Sequence, residues 1–224
     1  MIAERIKSIA ESLPAGVRLV AVSKFHPVEA VREAYDAGQR VFGESHVQEL
    51  VGKHDVLPDD VEWHFIGHLQ TNKVKYIVPF VSLIHGIDSL KLLVAVNKEA
   101  EKINRIVPCL LQVHIATEDT KFGFSTAECR DLLASGVWKD LKFVRLCGLM
   151  GMATYTEDKA QIAGEFHTLK LLFDEIKQMY FPKDESFKEL SMGMSSDYPL
   201  ALKEGSTLVR VGTYIFGERD YGQS

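Results

Sequence analysis

The chain has little of what marks a secreted, membrane-spanning or nucleic-acid-coating protein. Of its 224 residues three are cysteine, and Cys109, Cys129 and Cys147 stand far apart with no C-x-x-C pair. An odd, scattered set of thiols excludes a disulfide framework and a cysteine zinc site. It points to a reducing, cytoplasmic compartment, with each thiol a small buried hydrophobe. No apolar run approaches the roughly 20 residues that a membrane helix needs. The opening MIAERIKSIA places apolar residues at helical spacing among charges of both signs, so it reads as an amphipathic helix over 1–13 rather than a signal peptide. Positive charge is in deficit: a formal net charge of -5 leaves no concentrated basic face for a phosphate backbone, so any anion must be gripped locally. Both glycine-rich phosphate loops, G-x-G-x-x-G and G-x-x-x-x-G-K-[ST], are missing. His64 and His68 are four apart, but Phe65 stands where a zinc-protease helix needs glutamate. The segment also reads as a strand, in which side chains four apart are about 13 Å distant.

What is present is an ordinary globular composition, 46% apolar and 25% charged, expected to form one domain over 1–224. A unit recurs along it: a short apolar run, a glycine or polar residue at its end, then a helix of 3.6 period. The runs predict strands over 17–23, 40–43, 62–67, 82–86, 106–114, 143–150, 187–191 and 207–212. Helices are predicted over 27–38, where Pro27 opens and Gly38 closes, over 89–103 and 125–135 behind N-capping serines, and over 158–180. In the last, Ile162, Phe166, Leu169, Phe173, Ile176 and Tyr180 form one apolar stripe. Eight such units predict a (β/α)8 barrel with an extra helix in front; a doubly wound open sheet is the rival. The barrel is preferred because the strand-end glycines spread over nearly all units instead of gathering in one turn.

One residue stands out in that frame. The first strand is apolar apart from Arg18 and runs into Lys24, a primary amine at a strand-to-helix junction. Partly desolvated there, an amine loses basicity and forms a Schiff base with an aldehyde; a solvated lysine capping the strand is the plainer alternative. Barrel closure sets the first strand beside the eighth, so Lys24 shares a rim with Arg210, Gly212 and Thr213. The ends of the seventh and eighth strands are where such barrels bind phosphate. Ser191-Met-Gly-Met-Ser-Ser-Asp197 offers Ser195 or Ser196 as hydroxyl donor, ahead of a helix over 197–204, and Gly212-Thr213 offers close backbone and a second hydroxyl. Simple N-capping by Ser195, Ser196 or Asp197, and a plain turn at Gly212, remain open on these grounds. Together the residues describe a site for an aldehyde-bearing phosphate ligand.

The segments AVSKFHP (21–27), FGESHVQEL (42–50), WHFIGHLQTNK (63–73), GLMGMAT (148–154), LSMGMSSDYPLAL (190–202) and VRVGTYIFGERDY (209–221) closely resemble the pyridoxal 5′-phosphate homeostasis protein family, from near the N-terminus to the end of the chain. The resemblance implies an alanine-racemase-type barrel carrying pyridoxal 5′-phosphate as an internal aldimine on Lys24. It implies Arg210 at the pyridine nitrogen, Ser195, Gly212 and Thr213 on the phosphate, and Asn72 facing the cofactor pocket. The family's usual FGEN followed by an aromatic is replaced here by Ser45 and His46, so Ser45 is not carried over as a ligand.

A guanidinium donates to a pyridine nitrogen without surrendering its proton, which weakens the ring as an electron sink. Arg210 pairing with Glu218 or Glu44 is the competing reading. A racemase also needs two opposed acid/base groups; Tyr155, Tyr198 and Tyr214 are candidates in name only, each equally a packing residue, and the chain is expected to leave no room for the second domain that supplies one in racemases. The expectation is therefore a monomeric carrier that buffers pyridoxal phosphate or delivers it to apoenzymes. A minimal amino-acid racemase, a class I aldolase using Lys24 directly, and a non-catalytic scaffold are the alternatives.

Overall fold

The computed structural model describes residues 1–118 and 122–218; Arg219, Asp220 and Tyr221 of the last motif lie outside the described residues. The apolar runs become strands and the periodic segments helices in strict alternation. In chain order they are α1 (Ile2–Ser12), β1 (Arg18–Val22), α2 (Val28–Asp36), β2 (Val41–Glu44), α3 (Val47–His54), β3 (Glu62–Phe65) and α4 (Val74–Ile77), the last preceded by a 3-10 turn at Thr71–Lys73. There follow β4 (Leu83–Ile87), α5 (Leu90–Lys102), β5 (Val107–His114), α6 (Thr126–Ser135) and β6 (Val144–Met152). Among the described residues the last elements are α7 (Lys159–Tyr180), β7 (Glu189–Met194), α8 (Tyr198–Lys203), β8 (Leu208–Val211) and α9 (Thr213–Phe216).

All eight strands close into a parallel barrel in sequence order, β1 pairing with β8 from Arg18↔Leu208 to Ala21↔Val211. The (β/α)8 expectation holds, with α1 as the extra leading helix. Strand alternation sorts the apolar side chains into two cores. Leu19, Ala21, Phe42, Trp63, Phe65, Leu111 and Val209 face the helices and meet Val31, Leu50, Leu93, Phe166 and Leu169. Val20, Val41, Leu83, Leu110, Cys147, Met150 and Leu208 fill the lumen. All three cysteines are buried and unbonded, and burial pushes the Cys129 thiol up to about 12 and Cys147 to about 11.

The seventh strand is displaced from its expected span of 187–191. Phe187 is fully buried, but as an anchor in an aromatic stack with Phe181 (ring centroids 4.3 Å apart) and Phe173 (5.2 Å), so ladder pairing starts two residues later at Glu189. Further along, β7 carries one extra residue between Ser191↔Leu208 and Met194↔Arg210, a bulge at Gly193 with φ +94°. A Cβ there would sit 2.6 Å from Ala201 Cβ, so glycine alone lets β7 bend against α8. Among the described residues no helix is long and apolar enough to cross a membrane.

Candidate functional site

The carboxyl ends of the strands surround a cavity of about 590 Å³. Lys24, Arg210, Ser195, Gly212 and Thr213 all line it, together with Val22, Ser45, Ile66, Met152, Met194 and Ser196. Tyr155 and Tyr214 stand exposed at its mouth, whereas Tyr198 packs partly buried against the helix-facing core. The walls are mostly apolar with a few converging polar groups, as small-ligand sites are.

Lys24 is half-buried, two residues past the end of β1 in a turn whose next residue, Phe25, has φ +67°. A left-handed backbone costs a side-chain-bearing residue about 1–2 kcal/mol, so something must hold this turn. Ser23 Oγ donates to Glu44 Oε1 at 2.6 Å, and Phe25 N–H donates to Glu49 Oε1 at 2.6 Å. The buried Lys53 ammonium joins the two acids, donating to Glu44 Oε1 (2.6 Å), Glu49 Oε1 (2.7 Å) and the Ser23 carbonyl (2.8 Å). Burial pushes the Glu44 carboxyl up to about 6, while the Lys53 charge and its hydrogen bond pull the other way. Aromatic rings brace the turn from both sides: Phe25 against His46 and His26 stacked on Phe216 of α9.

Arg210 rises from β8 into the cavity floor, 4% exposed. It donates to Ser191 Oγ at 2.5 Å and to the Gly151 carbonyl at 3.0 Å. Neither carboxylate considered from the sequence is among these partners; Glu44 is bound by Ser23 and Lys53 instead. Burial lowers the guanidinium to about 10 against the charge of Asp197, which raises it, and the group stays protonated at neutral pH.

The ends of β7 and β8 meet where Gly212 N–H donates to Ser195 Oγ at 3.3 Å. Ser195 thus faces β8 and is not the cap of α8; the residue at that position is Asp197, whose Oδ1 accepts from Met194 N–H at 2.5 Å. A Cβ at Gly212 would lie 2.9 Å from the Val22 carbonyl, so glycine permits β8 to close on β1 beside the lysine turn. Asn72 is not brought to this cavity. The 3-10 turn carries it outward, exposed, to a separate hollow shared with His68, Asp88 and Lys91, because β3 stops at Phe65 and the chain then leaves the rim. Ser45, set aside on the sequence because it departs from the family's usual residue, does line the cavity, and Met152, Met194 and the acid–lysine clamp were not anticipated. The available signal was Glu44 at the end of an otherwise apolar run, answered nine residues on by Lys53.

This fold and cavity define a barrel of the alanine racemase N-terminal type, and residues 1–220 match the family described as "Alanine racemase, N-terminal domain". The likeness to alanine racemase from Bartonella henselae is one of fold, at 16% identity and TM-score 0.73, covering 99% of this chain and 60% of that one. Much nearer are the pyridoxal phosphate homeostasis proteins of Aquifex aeolicus, 40% identical over 97% of this chain and 95% of that protein, and of Schizosaccharomyces pombe, 42% identical over 91% and 84%. The structure of PipY from Synechococcus elongatus with PLP bound is 39% identical, with TM-score 0.87 over 97% of this chain and 100% of that one. The chain belongs to the pyridoxal phosphate homeostasis protein family.

Proposed function

We propose that this protein binds pyridoxal 5′-phosphate at the carboxyl-end cavity and serves as a cytoplasmic buffer or donor of the cofactor for PLP-dependent apoenzymes, acting as a monomer without strong catalysis of its own. The observation that carries the reading is that Lys24, Arg210, Ser195, Gly212 and Thr213, drawn from opposite ends of the sequence, line one cavity. A relative of 39% identity, alike over its whole length, has been solved with PLP bound. The donor set fits the group: an amine for its aldehyde carbon, hydroxyls and close backbone for its phosphate, and a guanidinium for its ring nitrogen. Asn72 is not part of this proposal.

When bound, pyridoxal phosphate supplies a carbonyl that captures amines and a ring that withdraws electrons from them. The protein's own groups limit the second property. Arg210 keeps its proton at pH 7 and so donates a hydrogen bond without transferring charge to the ring. Lys24 tethers, its turn clamped by Ser23, Glu44, Glu49 and Lys53. Ser195 and Thr213, with the Gly212 backbone, hold the phosphate at the junction of β7, β8 and α9.

Borohydride treatment of the loaded protein followed by peptide mass analysis tests the reading. A reduced pyridoxyl adduct on Lys24 is expected, and its absence there would sink the proposal. Exchange of the alanine α-proton with D2O at catalytic rates, abolished by Lys24→Ala, would instead make the protein a racemase.

A further inference from the structure

Beneath the cavity floor, the barrel lumen holds four polar side chains in single file among its apolar filling. Ser191 Oγ lies 2.5 Å from an Arg210 terminal nitrogen and 2.9 Å from His85 Nδ1; His85 Nε2 lies 3.0 Å from His64 Nδ1. Ser191 and His85 are fully buried, and His64 is 1% exposed. The file crosses the barrel from one mouth to the other, since Arg210 lines the upper cavity and His64 lines a hollow at the amino ends of the strands, with Arg18, Glu62 and Glu189.

The direction of every bond in this file follows from its first member. A guanidinium has donors only, so Ser191 Oγ accepts from Arg210. That leaves the serine one hydrogen to give, and a buried hydroxyl hydrogen without an acceptor is costly. His85 Nδ1 supplies the acceptor and is therefore bare, which puts the His85 hydrogen on Nε2. Nε2–H then donates to His64 Nδ1, so His64 also carries its hydrogen on Nε2.

We propose that Ser191, His85 and His64 form a one-way hydrogen-bond chain, with both imidazoles in the Nε2–H form, that positions Arg210 for the ring of the bound cofactor; the ligand half of this inference rests on the reading given above. Three physical points support it. The chain and the Gly151 carbonyl are the recorded partners of Arg210, so the hydroxyl fixes one arm of the guanidinium fork. Both imidazoles are held uncharged by their surroundings: burial, then Arg18, pushes His64 down to about 3, and burial followed by His64, Arg210 and Arg18 pushes His85 well down. A positive imidazole in the lumen would repel the guanidinium, whereas neutral ones pass hydrogen-bond polarity along it. His85 and Ser191 are positioning residues in this scheme and touch no ligand.

Nitrogen-15 spectra of the unmodified, labelled protein at pH 7 test the chain itself. Signals assigned by His64→Gln and His85→Gln are expected to show a bare Nδ1 and a protonated Nε2 on both rings. A hydrogen on Nδ1 of either ring, or a charged ring, overturns the proposal. Ser191→Ala is expected to raise the Kd for pyridoxal phosphate about tenfold and to displace the absorption maximum of the bound cofactor, with Ser191→Thr restoring both. His85→Leu should act like Ser191→Ala, and His85→Gln, which keeps one donor and one acceptor, should act less. Wild-type affinity and spectrum in both Ser191→Ala and His85→Leu, with the borohydride adduct still on Lys24, refute the positioning role. If no adduct forms on Lys24 even in the unmodified protein, the binding reading fails, and the tautomer measurement still decides the chain.

Discussion

Lys53→Met asks whether the clamp beneath the lysine turn works through charge. Methionine keeps much of the stem's bulk and removes an ammonium with three acceptors at 2.6–2.8 Å. An ionised Glu44 would then keep a single recorded bond, from Ser23, and its Oε2 already has no partner, so the carboxyl takes up a proton instead. Holding it protonated at pH 7 against its ordinary 4.5 costs roughly 3 kcal/mol. The unmodified protein already bears about 2 kcal/mol of that, because burial has moved the group to about 6. Titration therefore adds on the order of 1 kcal/mol at pH 7 and almost nothing at pH 5, where Glu44 is protonated with or without Lys53. Loss of the bonds to Glu49 and the Ser23 carbonyl adds about 1–3 kcal/mol at either pH. The folded carboxyl binds its proton more tightly than the unfolded one, so stability declines as pH rises past 4.5, and declines further in the variant. Urea unfolding should show a loss of about 3 kcal/mol at pH 7 and about 2 kcal/mol at pH 5. A loss equal at the two pH values, or larger at pH 5, refutes the reasoning.

Two other outcomes follow from the barrel interior. His64 is held near 3 when folded and titrates near 6.5 when unfolded, so the unfolded chain takes up the proton first and stability falls as pH drops from 6.5 toward 3; by pH 4 the contribution lost is roughly 3 kcal/mol. His64→Gln should flatten urea midpoints between pH 6.5 and 4, and an unchanged slope in that variant speaks against a neutral buried imidazole. Gly148, with φ +150°, would bring a Cβ within 1.7 Å of the Glu189 carbonyl where β6 meets β7. Gly148→Ala should lower the thermal midpoint by about 6–12 °C or more, or abolish soluble expression, on the scale of a backbone clash of at least about 3 kcal/mol; near-native melting by circular dichroism would show the register is not fixed there.

The barrel was legible because each strand is an apolar run ended by glycine or a polar group, and each helix keeps its period. The convergence of Ser195, Gly212 and Thr213 on one cavity was legible for the same reason, since they sit just past strand ends that closure makes neighbours. Lys24 announced itself as a charge at the carboxyl end of a strand that is apolar apart from Arg18. The rest depended on directions that a sequence does not carry. His85 in SLIHG and Ser191 in LSMG are polar residues inside strands, but only barrel closure shows that they face the lumen and one another across β4 and β7. The Ser23–Glu44–Lys53–Glu49 clamp joins β1, β2 and α3. Asn72 was assigned by resemblance alone, and the turn at Thr71–Lys73 carries it to another hollow. The β7 bulge likewise follows from φ at Gly193, which composition does not reveal.

The pairing of β1 with β8 has a consequence for how the site comes into being. Lys24 follows the first barrel strand, whereas Arg210 lies on the last and Gly212 and Thr213 just beyond it, so an amino-terminal fragment that stops before β8 lacks one half of the cavity. A nascent chain exposes the Lys24 amine long before β8 stands beside it. A ligand that needs both halves therefore gains its affinity only at ring closure and stabilises the closed barrel by mass action, across the seam where Gly212 approaches the Val22 carbonyl. Occupancy of the cavity reports that the barrel has closed from β1 to β8.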